Sequence, residues 1–482
     1  MIEADVFADE LQYEYFLSWS LASWLLQLLL YFCAVLQWLQ KYKRDFRLNS
    51  KLALPIMAAQ LGQVTTNIAD NIMVGQLGAA PLAAVSLANA IFYMFIVFGM
   101  GISFGLPPLI AQAHGGKKYR RISLYVKNSF IINVGYAVIA LLLMLLSEPL
   151  LAHMGQDGSV VSLAEPYLII TAWSVFPFMV FQTLRTYADG MSQTMHSMIA
   201  VLVANVANIV LNYGLIFGKL GMPELGVVGA AVGTFISRVI MIMVIVVLLY
   251  FWKDLWTPLT KINIRRFNPG VMRRILSLGI PTSLQMFFEV SAFSIAAILM
   301  GVISKEAQAA HQIAINLASI TFLICTGLAM ATTIRVGNQL GLHNMIAVRR
   351  VGISAMIQVT LFMLACVIFF IFMRHFLPTL YIDNEEVIAI SAMLLVFAAI
   401  FQIPDGVQVV ALGSLRGLQD VNIPTIITFF SYYIIGIPIS AIATFYFGMG
   451  PAGIWLGLVI GLSISAGFLT QRFLRLSKRE LV

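Results

Sequence analysis

Apolar residues run in blocks of about twenty along this chain, and short polar links separate the blocks. The stretches 128–147, 227–252 and 351–373 each exceed roughly 18 residues with little interruption, the length a helix needs to cross a bilayer. The pattern predicts spans at 52–75, 83–113, 128–147, 164–188, 193–217, 227–252, 275–301, 309–339, 351–373, 389–415, 422–446 and 450–471. A further apolar run at 15–40 precedes them. It follows an acidic stretch (Glu3, Asp5, Asp9, Glu10, Glu14) and ends in Lys41-Tyr42-Lys43-Arg44. That layout is the reverse of a signal peptide. It suits an extra span with the N-terminus outside, an interfacial helix, or translated sequence upstream of the functional start, and the residues leave the three open.

Composition sharpens the picture. Of the 482 residues, 60% are hydrophobic and 10% charged, against roughly a quarter charged in a soluble domain. So few charges cannot cover a folded chain of this size, and lipid covers the rest. If spans alternate sides, Lys and Arg crowd into the links 41–51, 115–127, 253–274 and 349–350 and the tail after 471. The opposite side has Lys219, Lys305 and Arg374. This bias places the basic links and the C-terminus in the cytoplasm of a multi-pass protein of the inner or plasma membrane. Cations at span ends read as topology, not as a nucleic-acid patch. Cys33, Cys325 and Cys366 lie in apolar runs without pair spacing, and the six histidines show no ligand spacing.

The spans hide a repeat. The shift that carries Pro55 onto Pro281 also aligns Gly75 with Gly301, Ala83-Ala84 with Ala309-Ala310, Gly101 with Gly327 and Gly115 with Gly341, without a gap. Further on, a slightly longer shift matches Leu184-Arg185 and Asp189 with Leu415-Arg416 and Asp420, as after a small insertion. An even number of spans between equivalent positions gives the halves parallel topology, related by a pseudo-twofold along the membrane normal. The expected fold is all-α, with two six-helix lobes at 49–260 and 272–475. An N-terminal extension at 1–48, a cytoplasmic link at 261–271 and a tail at 476–482 complete the chain. Ligands and coupling ions are expected near mid-depth between the lobes.

Three acids sit within spans: Asp70, Glu289 and Asp405. A carboxylate at a helix centre costs about 2.5–3.5 kcal/mol to insert, so each needs a structural hydrogen bond or a cation-binding role. Glu289 lies two turns after Pro281, and Asp405 directly follows Pro404, whose ring frees a backbone carbonyl. Phe401 lies one turn before Asp405, and Gln408 follows on the same helix. Asn205, Asn208 and Asn212, at i, i+3 and i+7, form an amide stripe on one helix face, which needs polar company. Asp70 is the expected partner, and Thr234 and Arg238 are candidates for the same network. Arg238 must find an acid or lie nearer an interface. The string Gly101-Ile102-Ser103-Phe104-Gly105 fits a hydrolase nucleophile elbow, but that motif has meaning only on a strand-to-helix turn. Within an apolar helix it reads as small residues for close packing. No P-loop or metallohydrolase motif is present in the sequence, so no ATP hydrolysis and no enzyme activity are expected.

These residues resemble the MATE multidrug exporters, in particular their NorM-like branch, over about 48–475. The resemblance rests on Ile68-Ala69-Asp70-Asn71-Ile72-Met73-Val74-Gly75, on Ala111-Gln112-Ala113-His114-Gly115, on Asn208-Ile209-Val210-Leu211-Asn212-Tyr213, on Ile334-Arg335-Val336-Gly337-Asn338-Gln339-Leu340-Gly341 and on Asp405-Gly406-Val407-Gln408 leading to Gly413-Ser414-Leu415-Arg416-Gly417. It implies two lobes that alternate between outward- and inward-facing states and expel organic cations and other drugs in exchange for Na+ or H+. The family's first-lobe acid then falls on Asp70, with Asn208 and Asn212 beside it. Its second-lobe cation site falls on Glu289 and Asp405, where Na+ would bind. No cofactor beyond the coupling ion is implied. The expected partners are small organic cations and the bilayer, with no nucleic acid, and the expected state is a monomer. A lipid-linked precursor flippase is the alternative within the wider superfamily, and would call for a cationic cleft where this chain has mostly acids.

Overall fold

The computed structural model describes residues 40, 42–151, 157–260 and 268–478. Residues 1–39, where the extra N-terminal span would fall, and 261–267 of the polar link lie outside the described residues. By packing, the chain divides into two units, Met1–Leu48 and Asn49–Val482.

All regular structure among the described residues is helical. The long rods are α1 (Lys43–Gly75), α2 (Ala79–Ser103), α3 (Leu106–Gly115), α4 (Tyr119–Leu151), α5 (Gly158–Gly190), α6 (Thr194–Phe217) and α7 (Gly226–Phe251). A short α8 (Lys253–Thr260) leads to α9 (Pro269–Ile303), α10 (Lys305–Gly341), α11 (Met345–Met373), α12 (Glu385–Gly417), α13 (Asn422–Tyr446) and α14 (Pro451–Leu476). Helices α2 and α3 form one span, 79–115, interrupted at Phe104-Gly105. Counting that span once, eleven rods among the described residues are long and apolar enough to cross a membrane. Helix α1 falls short because Gln60, Gln63, Asn67, Asp70 and Asn71 interrupt its apolar residues. The predicted spans therefore all lie on helices, most of which extend beyond the apolar stretch into the links.

Local chemistry sets where the rods begin. Asp157, Asn268, Ser304, Asn344 and Asn384 each accept a hydrogen bond from a first-turn N–H, starting α5, α9, α10, α11 and α12. Pro269 follows Asn268 at the first helical position, where its missing N–H costs nothing.

The repeat is visible as symmetry. Helices α5 and α12 both have 33 residues. Each ends on a glycine followed shortly by a left-handed residue, Ser192 and Gln419. Aligning their ends, Gly190 on Gly417, restores nearly the shift that relates Pro55 to Pro281. The longer shift read from Leu184-Arg185 and Asp189 does not hold in the structure. Asp189 occupies the place of Arg416, and the Leu-Arg pairs are not equivalent. A Cβ on Gly115 would strike the Asn338 carbonyl, and one on Gly341 the Gln112 carbonyl. The Asn338 amide donates to Ser192 Oγ (2.9 Å), and the Gln419 amide donates to Gln112 Oε1 (2.6 Å). Each of these contacts crosses between halves and is matched by its repeat counterpart, as a pseudo-twofold requires.

The apolar cores follow the same division. One large cluster joins α2, α4, α5 and α7 around Phe92, Met144, Leu168 and Met179, and another joins α9, α10, α12, α13 and α14 around Phe401, Tyr432 and Trp455. Further clusters cross the lobes: Ile102, Leu109 and Ile132 meet Ile275, Leu278 and Val421, Ile56 and Ala111 meet Met330 and Ile334, and Ala53 joins a second-lobe cluster around Cys325 and Val410. Gly101 and Gly105 lie against Ser283 and Gly279, and the Ser283 hydroxyl donates to the Phe98 carbonyl (2.8 Å). This is what the serine-containing glycine motif does: glycines bring α2 and α9 within backbone contact. These contacts all lie toward the end of the bundle that carries the basic links. On the same two helices, toward the other end, Tyr93, Met94, Phe287 and Val290 are exposed.

Candidate functional site

In the first lobe, α6 presents Asn208 and Asn212 one turn apart toward α1 and α7. The Asn212 amide donates to Asp70 Oδ1 at 2.7 Å and lies 3.4 Å from Asn208 Oδ1, while Asn208 donates to Ser237 Oγ at 3.4 Å. Asn212 is pressed into place by Gly233, where any Cβ would overlap its Oδ1. The chain Asp70–Asn212–Asn208–Ser237 thus links three helices. Asn205 stands outside it: its buried Nδ2 has no hydrogen-bond partner among the described residues and faces Gly62. Thr234 enters only through its carbonyl, which accepts from the Ser237 hydroxyl.

Arg238 has found neither an acid nor an interface. Its guanidinium donates to Ser174 Oγ at 2.5 Å and lies over the rings of Phe92 (4.6 Å) and Phe178 (5.3 Å). Two ring faces and a hydroxyl replace part of the water that a cation loses on entering a helix bundle. Asp70 lies within its electrostatic reach but not in ion-pair contact.

In the second lobe, α9 carries Glu289, α12 carries Asp405 and Gln408, and α13 carries Tyr432. The Gln408 amide lies 3.4 Å from Glu289 Oε1 and 3.2 Å from the Tyr432 hydroxyl. Glu289 is 8% exposed and Asp405 2%. Asp405 makes no hydrogen bond among the described residues, and Glu289 is near enough to repel it when both are charged. Helix α12 runs unbroken through Pro404. The Phe401 ring is occupied by packing on Phe293 and Trp455.

Tyr432 was not legible in the sequence as part of this group. It lies in a π-helical stretch, Phe430–Gly436, where the wider turn shifts the side chains of α13. Gly436 and Pro438 are the available signals, but glycine and proline in a span more often mark simple bends. Ser237 and Ser174 were equally silent. The acids also differ from expectation in placement: every hydrogen-bond partner of Asp70 and Glu289 belongs to the same lobe as the acid, so the polar groups lie inside the lobes and not across their contact. Among the described residues none of the three acids has a basic residue in ion-pair contact.

Two segments of the chain, 55–214 and 281–442, match the MatE family model. The two matches begin at Pro55 and Pro281, the pair that defines the internal repeat. The "Probable multidrug resistance protein NorM" of Rhizobium meliloti is 36% identical over 441 residues, covering 90% of this chain and 94% of that protein. The "Multidrug resistance protein MdtK" of Pectobacterium atrosepticum is 34% identical over 446 residues, covering 90% and 96%. Among solved structures, an outward-facing multidrug resistance MATE family transporter of the MOP superfamily matches with a TM-score of 0.83 at 23% identity, covering 90% of this chain and 97% of that one. The eukaryotic MATE transporter AtDTX14 matches with a TM-score of 0.80 at 20% identity, covering 91% and 98%. By family match, sequence identity over most of its length and two-lobe fold, this chain belongs to the MatE family of membrane transporters and is not an enzyme.

Proposed function

We propose that this chain exports small organic, chiefly cationic, molecules across the cell membrane in exchange for Na+ or H+, by alternating access of its two lobes. One observation carries the reading. Glu289 and Asp405 are buried and Asp70 half-buried within the lobes, and the hydrogen bonds that reach Asp70 and Glu289 come from the neutral amides Asn212 and Gln408. A carboxylate closed off from water does not keep its charge alone, so a proton, a sodium ion or an organic cation must complete it. If one acid serves both cargo and coupling ion, each displaces the other, and that competition is exchange.

Asn208, Asn212 and Gln408 hold the carboxylates in place, with Asn205 and Thr234 as further polar positions on the same faces. The lobes act as units over 49–260 and 272–475, within a single chain that works as a monomer. With the basic links in the cytoplasm, the contacts around Gly115, Gly341 and Ser283 close the cytoplasmic end. The arrangement is then outward-facing, in keeping with the outward-facing relative it resembles in fold. The test is reconstituted efflux of a fluorescent organic cation under a sodium gradient or a pH gradient, each imposed alone. One of the two drives efflux if exchange is the mechanism; efflux indifferent to both removes it.

A further inference from the structure

The two lobes treat one repeat position in opposite ways. At the end of α5 stands Asp189, buried, with Arg185 one turn back at 3.7 Å and the Ser197 hydroxyl donating to it at 2.8 Å. At the matching place on α12 stands Arg416. One turn back is Leu412, which offers it nothing. The next acid, Asp420, is already held by Arg472 of α14 through two hydrogen bonds of 2.5 and 3.0 Å. Arg416 makes no hydrogen bond and no ion pair among the described residues, and its Nε is buried without a partner.

A guanidinium carries five N–H donors in a fixed fork, and leaving one buried and unpaired is costly. What Arg416 touches instead is the ring of Phe104, 5.8 Å from its centre, near the outer limit of a cation–π contact. That hold is weak, and it comes from the opposite lobe. Phe104 sits in the break between α2 and α3, beside Gly105, which packs on Ile275 and Gly279 of α9. The contact therefore exists only while the lobes are together at the end with the basic links. Glu289, further along α9, has its Oε1 3.4 Å from the amide of Gln408, two turns before Arg416 on the same helix, and lies within electrostatic reach of Arg416.

We propose that Arg416 is the counter-charge that Glu289 takes up in place of its transported cation, held off the carboxylate by Phe104 while the lobes are closed at the basic end. Separation of the lobes withdraws the ring, and the guanidinium turns to Glu289 and expels the cation on the side that has just opened. Arg416 is thus a positioning residue for coupling: it makes ion release conditional on the change of access. This rests on the exchange reading above.

Two substitutions act in opposite directions. Arg416→Gln removes the competing charge, so the coupling ion binds more tightly and leaves more slowly. A unit charge within reach at an effective dielectric of about 20 changes cation affinity about tenfold. Phe104→Leu removes the restraint, so Arg416 competes at every stage and the ion binds about threefold more weakly, the scale of a modest cation–π contact. Half-saturation is read on purified protein from the rise in melting temperature with Na+ at fixed pH and with falling pH in the absence of Na+; the maximal exchange rate is read in proteoliposomes. The expected result is a lower half-saturation with slower exchange for R416Q, a higher one for F104L, and neither shift in an E289Q background. Unchanged half-saturation in both variants, shifts of the same sign, or shifts that persist in E289Q overturn the proposal while leaving ion exchange intact. If R416Q does not fold, F104L and R416K decide: the lysine keeps the charge and is expected to bind the ion as the unmodified chain does. An unmodified chain that responds to no ion gradient overturns the exchange reading, and this proposal with it.

Discussion

The twofold-related glycines at the lobe contact give the sharpest quantitative expectation. Gly115 and Gly341 each face a backbone carbonyl of the other lobe closer than 3.0 Å from where a Cβ would lie, and ordinary contact begins at 3.4 Å. The neighbours are main-chain atoms of Asn338 and Gln112, so no side chain can swing aside. An alanine at either site must push the lobes apart locally by about 1 Å, at a cost of about 1–3 kcal/mol for overpacking a close contact. The cost falls on the closed state alone, because it vanishes once the lobes separate there. A bias of that size shifts a two-state equilibrium about 5- to 150-fold. The assay is labelling of a single cysteine at Gln112 by a bulky polar maleimide, after Cys33, Cys325 and Cys366 have been replaced. In the unmodified background the contact with Gln419 and Gly341 shields position 112. Gly341→Ala is expected to speed labelling by at least about fivefold and to slow exchange by favouring one state. Gly135→Ala, at an open position with no atom within 4 Å of the new Cβ, is the control and is expected to change neither. Labelling of G341A at the background rate would refute the claim that these glycines hold the basic end shut.

Other positions give equally direct expectations. Asn212→Leu removes the donor to Asp70, and a buried acceptor left unpaired costs about 1–3 kcal/mol; the loss in melting temperature is expected to shrink in an Asp70→Asn background, which a double-mutant cycle in detergent measures. Gly233→Ala displaces the Asn212 amide and is expected to reproduce the Asn212→Leu phenotype in the same melt. Arg238→Met keeps the stem between Phe92 and Phe178 while removing a buried charge, and is expected to change stability by no more than about 1 kcal/mol, since replacing a buried charge by a packed apolar group is often neutral; a severe melt defect would instead show that Arg238 holds a partner essential to the fold. Ser304→Ala removes the cap of α10 and is expected to cost about 1 kcal/mol, visible as faster hydrogen exchange in the first turn after residue 304.

The fold was legible in the sequence because the bilayer simplifies the code. A run of about twenty apolar residues reads as a spanning helix, and the glycines and prolines recurring at one fixed shift exposed the two-lobe plan before any contact was known. What was not legible depends on geometry finer than a span. The longer shift looked sound because Leu-Arg pairs recurred, yet the ends of α5 and α12 show that Asp189 and Arg416 share a position. Arg238 called for an acid or a place nearer an interface by sequence logic and received two phenylalanine rings and a serine, because Phe92 and Phe178 come from helices with no sequence tie to it. The amide stripe was legible as a stripe, but α7 engages only Asn208 and Asn212, while Asn205 rotates toward Gly62. Tyr432 stayed hidden because the π-helical turn is signalled only by Gly436 and Pro438, residues that in a span more often mark simple bends.

The account as a whole depends on carboxylates that acquire their counter-charge from the cargo and the coupling ion. The most direct measurement is the number of coupling ions returned per organic cation exported by proteoliposomes, for the unmodified chain and for the Asp70→Asn, Glu289→Gln, Asp405→Asn triple variant, with insertion and folding confirmed by size exclusion. Coupled movement of both species in the unmodified chain, and loss of ion-driven export in a folded triple variant, is the predicted result. Undiminished ion-driven export by the triple variant would contradict it.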